Sequence, residues 1–303
     1  MRCRRLPPAE RLPCEDHDPE RGVVLVAALW LLILLGVIGA GMIELVRSES
    51  RIARRISAEA EARALADIGI VQAIGALLDR GGREAWPIDG EAKSIGQAGA
   101  RISVAISDEF GKIDLNTSSD DLLLGLFRSA GLSASEAESV VARIADWRDA
   151  DDSRRLNGGE RSEYQARQLS YGPRNGAFES VEELGQVLGL RPDLLDKVRP
   201  ALTVFSRRPS IDTTTAPREA LHAMPGMGEA DVRRLLAERR SMRGAAGTSP
   251  ATVGTTAALT DISGRAFTLI AEVRTLSNAV FTRKAIVRFT GDPERPYWVH
   301  EQH

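Results

Sequence analysis

VVLVAALWLLILLGVIGAGMI, Val23 to Ile43, is a run of 21 residues without a charge. As an α-helix rising 1.5 Å per residue it extends about 32 Å, against roughly 30 Å of bilayer hydrocarbon. That is a membrane-spanning length. A secretory apolar region is usually about 7–15 residues long, and a soluble core helix rarely carries so many apolar residues in sequence. The charged arm before Val23 holds five Arg and five acidic residues.

Four readings of the run stand on these residues: a cleaved secretory signal, for which Ile38-Gly39-Ala40 leaves weak room; a plain signal anchor; a buried core helix; or a prepilin-type leader followed by a retained helix. Charge bias does not orient it. Arg5, Arg11 and Arg21 precede the run, while Arg47, Arg51, Arg54 and Arg55 follow it, so the positive-inside count is balanced.

Beyond Glu44 the chain continues without Pro until Pro87. Ile52, Ile56, Ala60, Ala64, Ile68, Val71, Ile74 and Leu78 recur every three or four residues, with Glu49, Arg51, Arg54, Glu59 and Arg63 on the other face. Gly81-Gly82 supplies a C-terminal stop. The spacing predicts one helix from Val23 to Arg80, whose later part offers an apolar stripe for a folded body to cover.

Strand-like alternation appears in three places. Arg101 to Ser107 puts Ile102, Val104 and Ile106 on one side; Phe267 to Thr275 puts Phe267, Leu269, Ala271 and Val273 on one face; Val280 to Thr290 does the same with Phe281, Ala285, Val287 and Phe289. Tyr297-Trp298-Val299 adds an edge piece. The first strand is separated from the others by about 160 residues of mainly helical pattern, which predicts an interrupted domain.

Three segments in the interruption share a plan of polar cap, helix, Gly turn and second helix. The first runs from Asn116-Thr117 to Phe127, turns at Gly131-Leu132, and continues from Ser135 to Trp147. The second opens at Ser180 with Glu183 at capping-box spacing and turns at Gly189-Leu190. The third opens at Thr215, has Pro217 early, and turns at Pro225-Gly226-Met227-Gly228 before Asp231 to Arg240. Arg243 to Thr260, rich in Gly, Ser, Thr and Ala, reads as a loop or linker.

The net charge of -2 removes a global attraction to nucleic acid. Cys3 and Cys14, the two cysteines, both lie in the arm, so cysteine usage does not give the compartment. Four scattered histidines (His17, His222, His300 and His303), with no phosphate-cradling glycine loop and no nucleophile elbow, argue against an enzyme.

The densest chemistry is Asp146-Trp147-Arg148-Asp149-Ala150-Asp151-Asp152 and Asn157-Gly158-Gly159-Glu160. Counted from Asp149, oxygen-bearing side chains fall at loop positions 1, 3, 5, 9 and 12: Asp149, Asp151, Ser153, Asn157 and Glu160. A hard divalent cation needs six to eight converging oxygens, and this spacing delivers them in an EF-hand. Arg154 in place of the glycine at position 6 argues against that geometry. The residues allow a structural calcium site of another shape, with Asp149, Asp151, Asn157 and Glu160 as ligands, or an acidic helix end beside a solvated loop.

The third paired-helix unit resembles a helix-hairpin-helix, in which backbone N–H groups of the Gly turn meet phosphate. Residues 207–243 carry eight Arg against five acidic residues, without Lys or an aromatic platform. Nucleic-acid binding, as in a membrane-anchored DNA-uptake protein, is the alternative reading of the chain.

Taken in order, the whole layout resembles protein K of type II secretion systems, the largest minor pseudopilin of that family. The marks are Arg21-Gly22 before an apolar helix; the loop from Asp146-Trp147 through Gly158-Gly159-Glu160, Tyr164, Tyr171, Asn175 and Phe178 to Val181-Glu182-Glu183-Leu184; and the tandem helical hairpins. The resemblance implies an α+β, pilin-like fold: a long N-terminal transmembrane helix packed on a small antiparallel sheet, interrupted by a large all-α insertion of helix-hairpin units. The implied divisions are a leader at 1–22, a transmembrane part at 23–43, a pilin-like domain at 44–110 plus 248–303, a first inserted helical domain at 111–206 and a second hairpin unit at 207–247. It also implies cleavage by prepilin peptidase between Gly22 and Val23 with methylation of Val23, an inner-membrane anchor with a periplasmic body, structural calcium, and the inner-membrane assembly platform and minor pseudopilins I, J and H as partners. Most pilins carry Glu at the fifth mature position, where its carboxylate meets the amino terminus of a neighbour; here that position is Ala27. The resemblance reads this as the mark of a tip subunit.

Overall fold

The computed structural model describes residues 19–79, 86–97, 99–246 and 262–302. The chain divides into two compact units after Ser57. The helix α1, Pro19–Leu78, runs through the division. In the first unit its Val23–Met42 portion, 20 residues of mean hydropathy 2.9, is long and apolar enough to cross a membrane. Arg21 and Gly22 lie within the helix, which starts four residues before the expected Val23. Cys3, Cys14, His17 and the Gly81-Gly82 stop lie outside the described residues.

The second unit begins on α1 at Ala58 and contains a five-stranded sheet in the order β1-β2-β5-β6-β7. These strands are Asp89–Gln97, Ala100–Asp108, Ala266–Thr275, Val280–Phe289 and Tyr297–Gln302, and every neighbour is antiparallel. The predicted alternation of β2, β5 and β6 is realised. Ile102, Val104, Ile106, Leu269, Ala271, Val273, Val287 and Phe289 are all buried on one face. Strand β1, with sequence DGEAKSIGQ, has no such alternation and was not expected; pairing with β2 makes it a strand.

The stripe expected to pack on this sheet does not. Ile52 and Ile56, in the first unit, and Val71 in the second are more than half exposed; Ala60 and Ala64 are exposed, Ile68 and Leu78 keep 39% of their surface, and only Ile74 of that series is buried. The buried face is instead Ala62, Ala66, Gly69, Ile70, Ala73, Ile74 and Leu77. That face combines Ile70, Ile74 and Leu77 with small residues, and the small ones set how closely α1 approaches a sheet that already presents large side chains. A Cβ on Gly69 would stand 3.0 Å from Val104 Cγ2 and 3.3 Å from Ala271 Cβ. At the margin Arg283 pairs with Asp67 at 3.0 Å, and the guanidinium of Arg63 lies over the Phe281 ring.

Between β2 and β5 lies the insertion, with its own core. It contains α2 (Asp120–Ser129), α3 (Ala134–Arg148), α4 (Arg161–Ala166), α5 (Pro192–Val198), α6 (Arg218–His222) and α7 (Glu229–Ala246). A short parallel pair, β3 (Ile113–Asp114) with β4 (Leu202–Thr203), ties the start of the insertion to the segment between α5 and α6. The first hairpin forms, but with other caps than those read: Ser119 and not Asn116-Thr117 caps α2, and Ser133 with Glu136 makes a capping box on α3, which starts at Ala134. The second differs. Val181–Gln186 is a 3-10 helix, Ser180 makes no capping hydrogen bond, and the Glu183 carboxylate instead accepts the Glu179 N–H and an Arg174 N–H. The third hairpin is α6–α7, which shares one core with the first: Ala220, Leu221 and Val232 join the cluster of Leu123, Phe127, Ile144 and Leu202. Gly125 permits the contact, since a Cβ there would fall 2.0 Å from the Ala223 carbonyl oxygen.

A buried ionic knot lies where the insertion meets the sheet. Arg265 donates to Asp108 and, at 3.2 Å, to Asp212, and its guanidinium stacks on Phe110, with Arg208 on the same ring. Burial pushes the Asp108 carboxyl up, and the hydrogen bond and charge of Arg265 oppose that rise.

Candidate functional site

The acidic loop starts in the last turn of α3. Asp146 is fully buried, and its carboxylate folds the chain that follows: Oδ2 accepts the Gly159 N–H at 2.8 Å and both oxygens accept the Arg155 N–H at 3.3 Å. A carboxylate receiving backbone N–H groups replaces the water lost on burial. Gly158 lies so close to it that a Cβ would fall 2.0 Å from Asp146 Oδ2. The loop therefore needs Asp at 146 and Gly at 158.

Beneath the loop is an aromatic floor. Trp147 stacks on Phe178 with ring centroids 6.0 Å apart and stands 6.1 Å from Tyr164, which meets Tyr171 edge-on. Tyr164 is fully buried; its hydroxyl accepts the Leu188 N–H, and burial pushes its ionisation up to about 12.

Several oxygens of this loop, and of Asn175 which bonds to it, are buried and accept no hydrogen bond: Asp149 Oδ1, both oxygens of Glu160 and Asn175 Oδ1. Buried polar atoms in folded proteins are nearly always satisfied, so a group of unsatisfied oxygens calls for an electrophile. The electrostatics agree. The Glu160 carboxyl is pushed up to about 7, first by burial and then by Asp146, Asp149, Asp152 and Asp151. Burial and the neighbouring Asp151 and Asp146 raise that of Asp149. Carboxylates crowded in this way are held apart from a proton or a cation only at a cost in stability.

Of the four ligands expected from sequence, Asp149 and Glu160 are brought together. Asp151 lies in the exposed part of the loop, where its Oδ1 accepts the Ser153 N–H, and Asn157 sits exposed at a left-handed corner with φ of 64°. The EF-hand register is thus not how this loop folds. Asp152 and Asn175, absent from that register, are part of the constellation: Asn175 Nδ2 donates to Asp152 Oδ1 at 2.9 Å, which leaves its Oδ1 free of hydrogen bonds. Among the described residues no three carboxylate, imidazole or thiol side chains form a ready ligand set. A hard cation here would draw on an amide oxygen as well as on Asp149 and Glu160, which calcium accepts.

The α6–α7 turn holds Gly226 at φ of 79°, as a helix-hairpin-helix turn requires. Within the turn the Gly228 N–H donates to Asp231 and the Met227 N–H to the Met224 carbonyl. Arg218 and Arg233 pair with Glu229, Arg234 with Asp231, and Arg239 is buried on the Ala216 carbonyl. Four of the eight arginines that suggested phosphate contact thus have partners within the hairpin, while Arg240 is exposed on α7.

Residues 107–207, which include the acidic loop and its aromatic floor, match the family model described as Type II secretion system (T2SS), protein K. This segment is a type II secretion protein K domain. The resemblance read from the sequence is borne out on it. The type II secretion system protein K of Pectobacterium carotovorum subsp. carotovorum is 32% identical over 93 residues, 30% of this chain, and the match spans 28% of that relative's length. One chain of the crystal structure of the GspK-GspI-GspJ complex from the enterotoxigenic Escherichia coli Type 2 Secretion System is 19% identical, with 85% of this chain and 98% of that chain covered and a TM-score of 0.49.

Proposed function

We propose that this chain is a minor pseudopilin of a type II secretion system, placed at the tip of the pseudopilus, where it starts and caps assembly and so supports protein export across the outer membrane. The observation that carries the reading is the conjunction of a protein K domain at 107–207 with an N-terminal helix whose Val23–Met42 portion is long and apolar enough to span a membrane. The antiparallel sheet backed by the later part of α1 is the pilin-like component in this reading, and the hairpins are its helical insertion.

The anchor holds the protein in the inner membrane with its body in the periplasm until assembly. Prepilin peptidase cuts between Gly22 and Val23. Ala27, in place of an acid, fits a subunit with none above it, since a carboxylate in lipid is costly without a partner. Gly36 and Ala40, a small-xxx-small pair, let neighbouring helices approach. The partners are minor pseudopilins I, J and H and the assembly platform, and the role is mechanical, without catalysis.

Calcium belongs to the proposal. Asp149, Glu160 and Asn175 would hold it, with Asp151, Asp152 and Asn157 within the same loop system, and its contribution is to neutralise buried oxygens and fix the loop. The unsatisfied oxygens support this directly.

The mature amino terminus tests the reading. Mass spectrometry of the protein from a secreting host should show N-methyl-Val23, and Gly22→Ala should leave the precursor intact and abolish export. A chain that keeps residues 1–22, or export undisturbed by Gly22→Ala, overturns it.

A further inference from the structure

On the face of the sheet away from α1, a cleft of about 370 Å³ opens between the strands and the inserted helices. Neither the metal site nor the secretion reading uses it. Four carboxylates line it, and each is engaged: Asp108 with Arg265, Glu109 with Lys112 at 2.6 Å and with the Thr268 hydroxyl, Glu182 with Arg199 at 3.8 Å, and Asp89 with a partner of its own. Among the described residues one lining cation is left without an ion pair: Lys284, half-buried on β6. It stands in register beside Ile270 of β5, and Ile286 follows two residues along the same face. A lysine without an ion pair beside two aliphatic side chains in the lining of a cleft matches a ligand with an apolar body and one negative charge.

We infer that this cleft binds a carboxylate carried on a small aliphatic group, as at the end of a peptide chain, with Lys284 as its charge anchor and Ile270 and Ile286 as the apolar floor. Because Asp108, Glu109 and Glu182 are each paired with a cation of their own, an entering carboxylate meets attraction at Lys284. The same paired acids disfavour a cationic ligand, which would have to break an existing pair to bind. The size is right for one or two residues of a chain, not for a folded partner. A terminal carboxylate and an aspartate side chain share this chemistry, and the assay separates them.

The probe is acetyl-Ala-Leu with a free carboxylate, titrated into the full-length protein in detergent while the isoleucine methyl resonances of Ile270 and Ile286 are followed. Acetyl-Ala-Leu-amide is the neutral control, and acetyl-Asp-Leu-amide carries the charge on a side chain. The expected result is saturable movement of both methyls with at least one of the charged peptides and not with the neutral one. Lys284→Met should weaken that binding about ten- to a hundredfold, the usual worth of a hydrogen bond to a charged group, and Lys284→Arg should retain it. Preference between the two charged peptides identifies the carboxylate source. Absence of movement with either charged peptide, equal movement with the neutral one, or undiminished binding to Lys284→Met would overturn the inference.

Discussion

Replacing Asp146 by Ala isolates the group that shapes the acidic loop. The buried carboxylate is the acceptor for the Gly159 N–H at 2.8 Å and, less directly, for that of Arg155 at 3.3 Å. An orphaned buried N–H costs about 1–3 kcal/mol and a partly wet one about half as much, so the loss comes to roughly 2–4 kcal/mol. For a folded unit of this size each kcal/mol lowers the midpoint by about 2–4 °C, which predicts a fall of roughly 4–16 °C. The assay is thermal unfolding of the full chain in detergent, read by circular dichroism, without and with calcium. Asp120→Ala is the control: its carboxylate is 47% exposed and pairs with Arg148 and Arg155, and surface pairs are worth at most about 1 kcal/mol. A midpoint for Asp146→Ala equal to that of the control would refute the idea that this carboxylate organises the loop.

Calcium at about a hundred times its Kd should raise the wild-type midpoint by roughly 5–11 °C, from a linkage term near 2.7 kcal/mol; chelator should reverse the shift, Glu160→Gln should lose most of it, and an indifferent wild type would remove the metal. Proton and cation compete at Glu160. Its folded value of about 7 lies above the ordinary 4.5, so without metal the protonated carboxyl favours the fold fully below about pH 4.5, and that contribution is lost as pH rises through 7. Calcium affinity measured by titration calorimetry should therefore weaken between about pH 8 and pH 6, and a flat profile would place Glu160 outside the site. Gly69→Leu should lower the midpoint, since a Cβ there already meets Val104 at 3.0 Å and overpacking costs about 1–3 kcal/mol; Val71→Ser on the uncovered face should leave it within about 0.5 kcal/mol.

What the sequence disclosed follows what repeats. The long helix, three of the sheet strands and the first hairpin were legible because a period of two or of 3.6 is a local signal. The Ser-Glu spacing, by contrast, was read at Ser180 and Glu183, where no cap forms, and passed over at Ser133 and Glu136, where one does. β1 was not, since DGEAKSIGQ becomes a strand only through its partner. The packing face of α1 was misread for a related reason. Aliphatic residues at helical spacing look like the core face, yet here Ala62, Ala66, Gly69 and Ala73 are covered while Val71 is not. Which stripe is buried depends on the bulk of the sheet opposite, set by Ile102 and Val104 of β2 together with Ala271 of β5, which lies far along the chain. At the acidic loop, spacing found Asp149 and Glu160 but followed an EF-hand count past Asp152 to Asn157. Asn175 enters by folding back beside Asp152, a contact that no count along the loop contains.

The register of β2 against β5 has a consequence for how such a chain is put together. Asp108, the last residue of one strand, lies opposite Phe267 at the start of the other, and the insertion leaves and returns between them. A tight turn joining these two positions would close an ordinary hairpin, with the remaining ladder from Ala100 to Asp108 unchanged. The helical part is therefore a cassette set at a hairpin tip, a place where gene-level gain, loss or exchange leaves the host sheet's pairing intact. A grafting experiment could use the same two residues as its splice points.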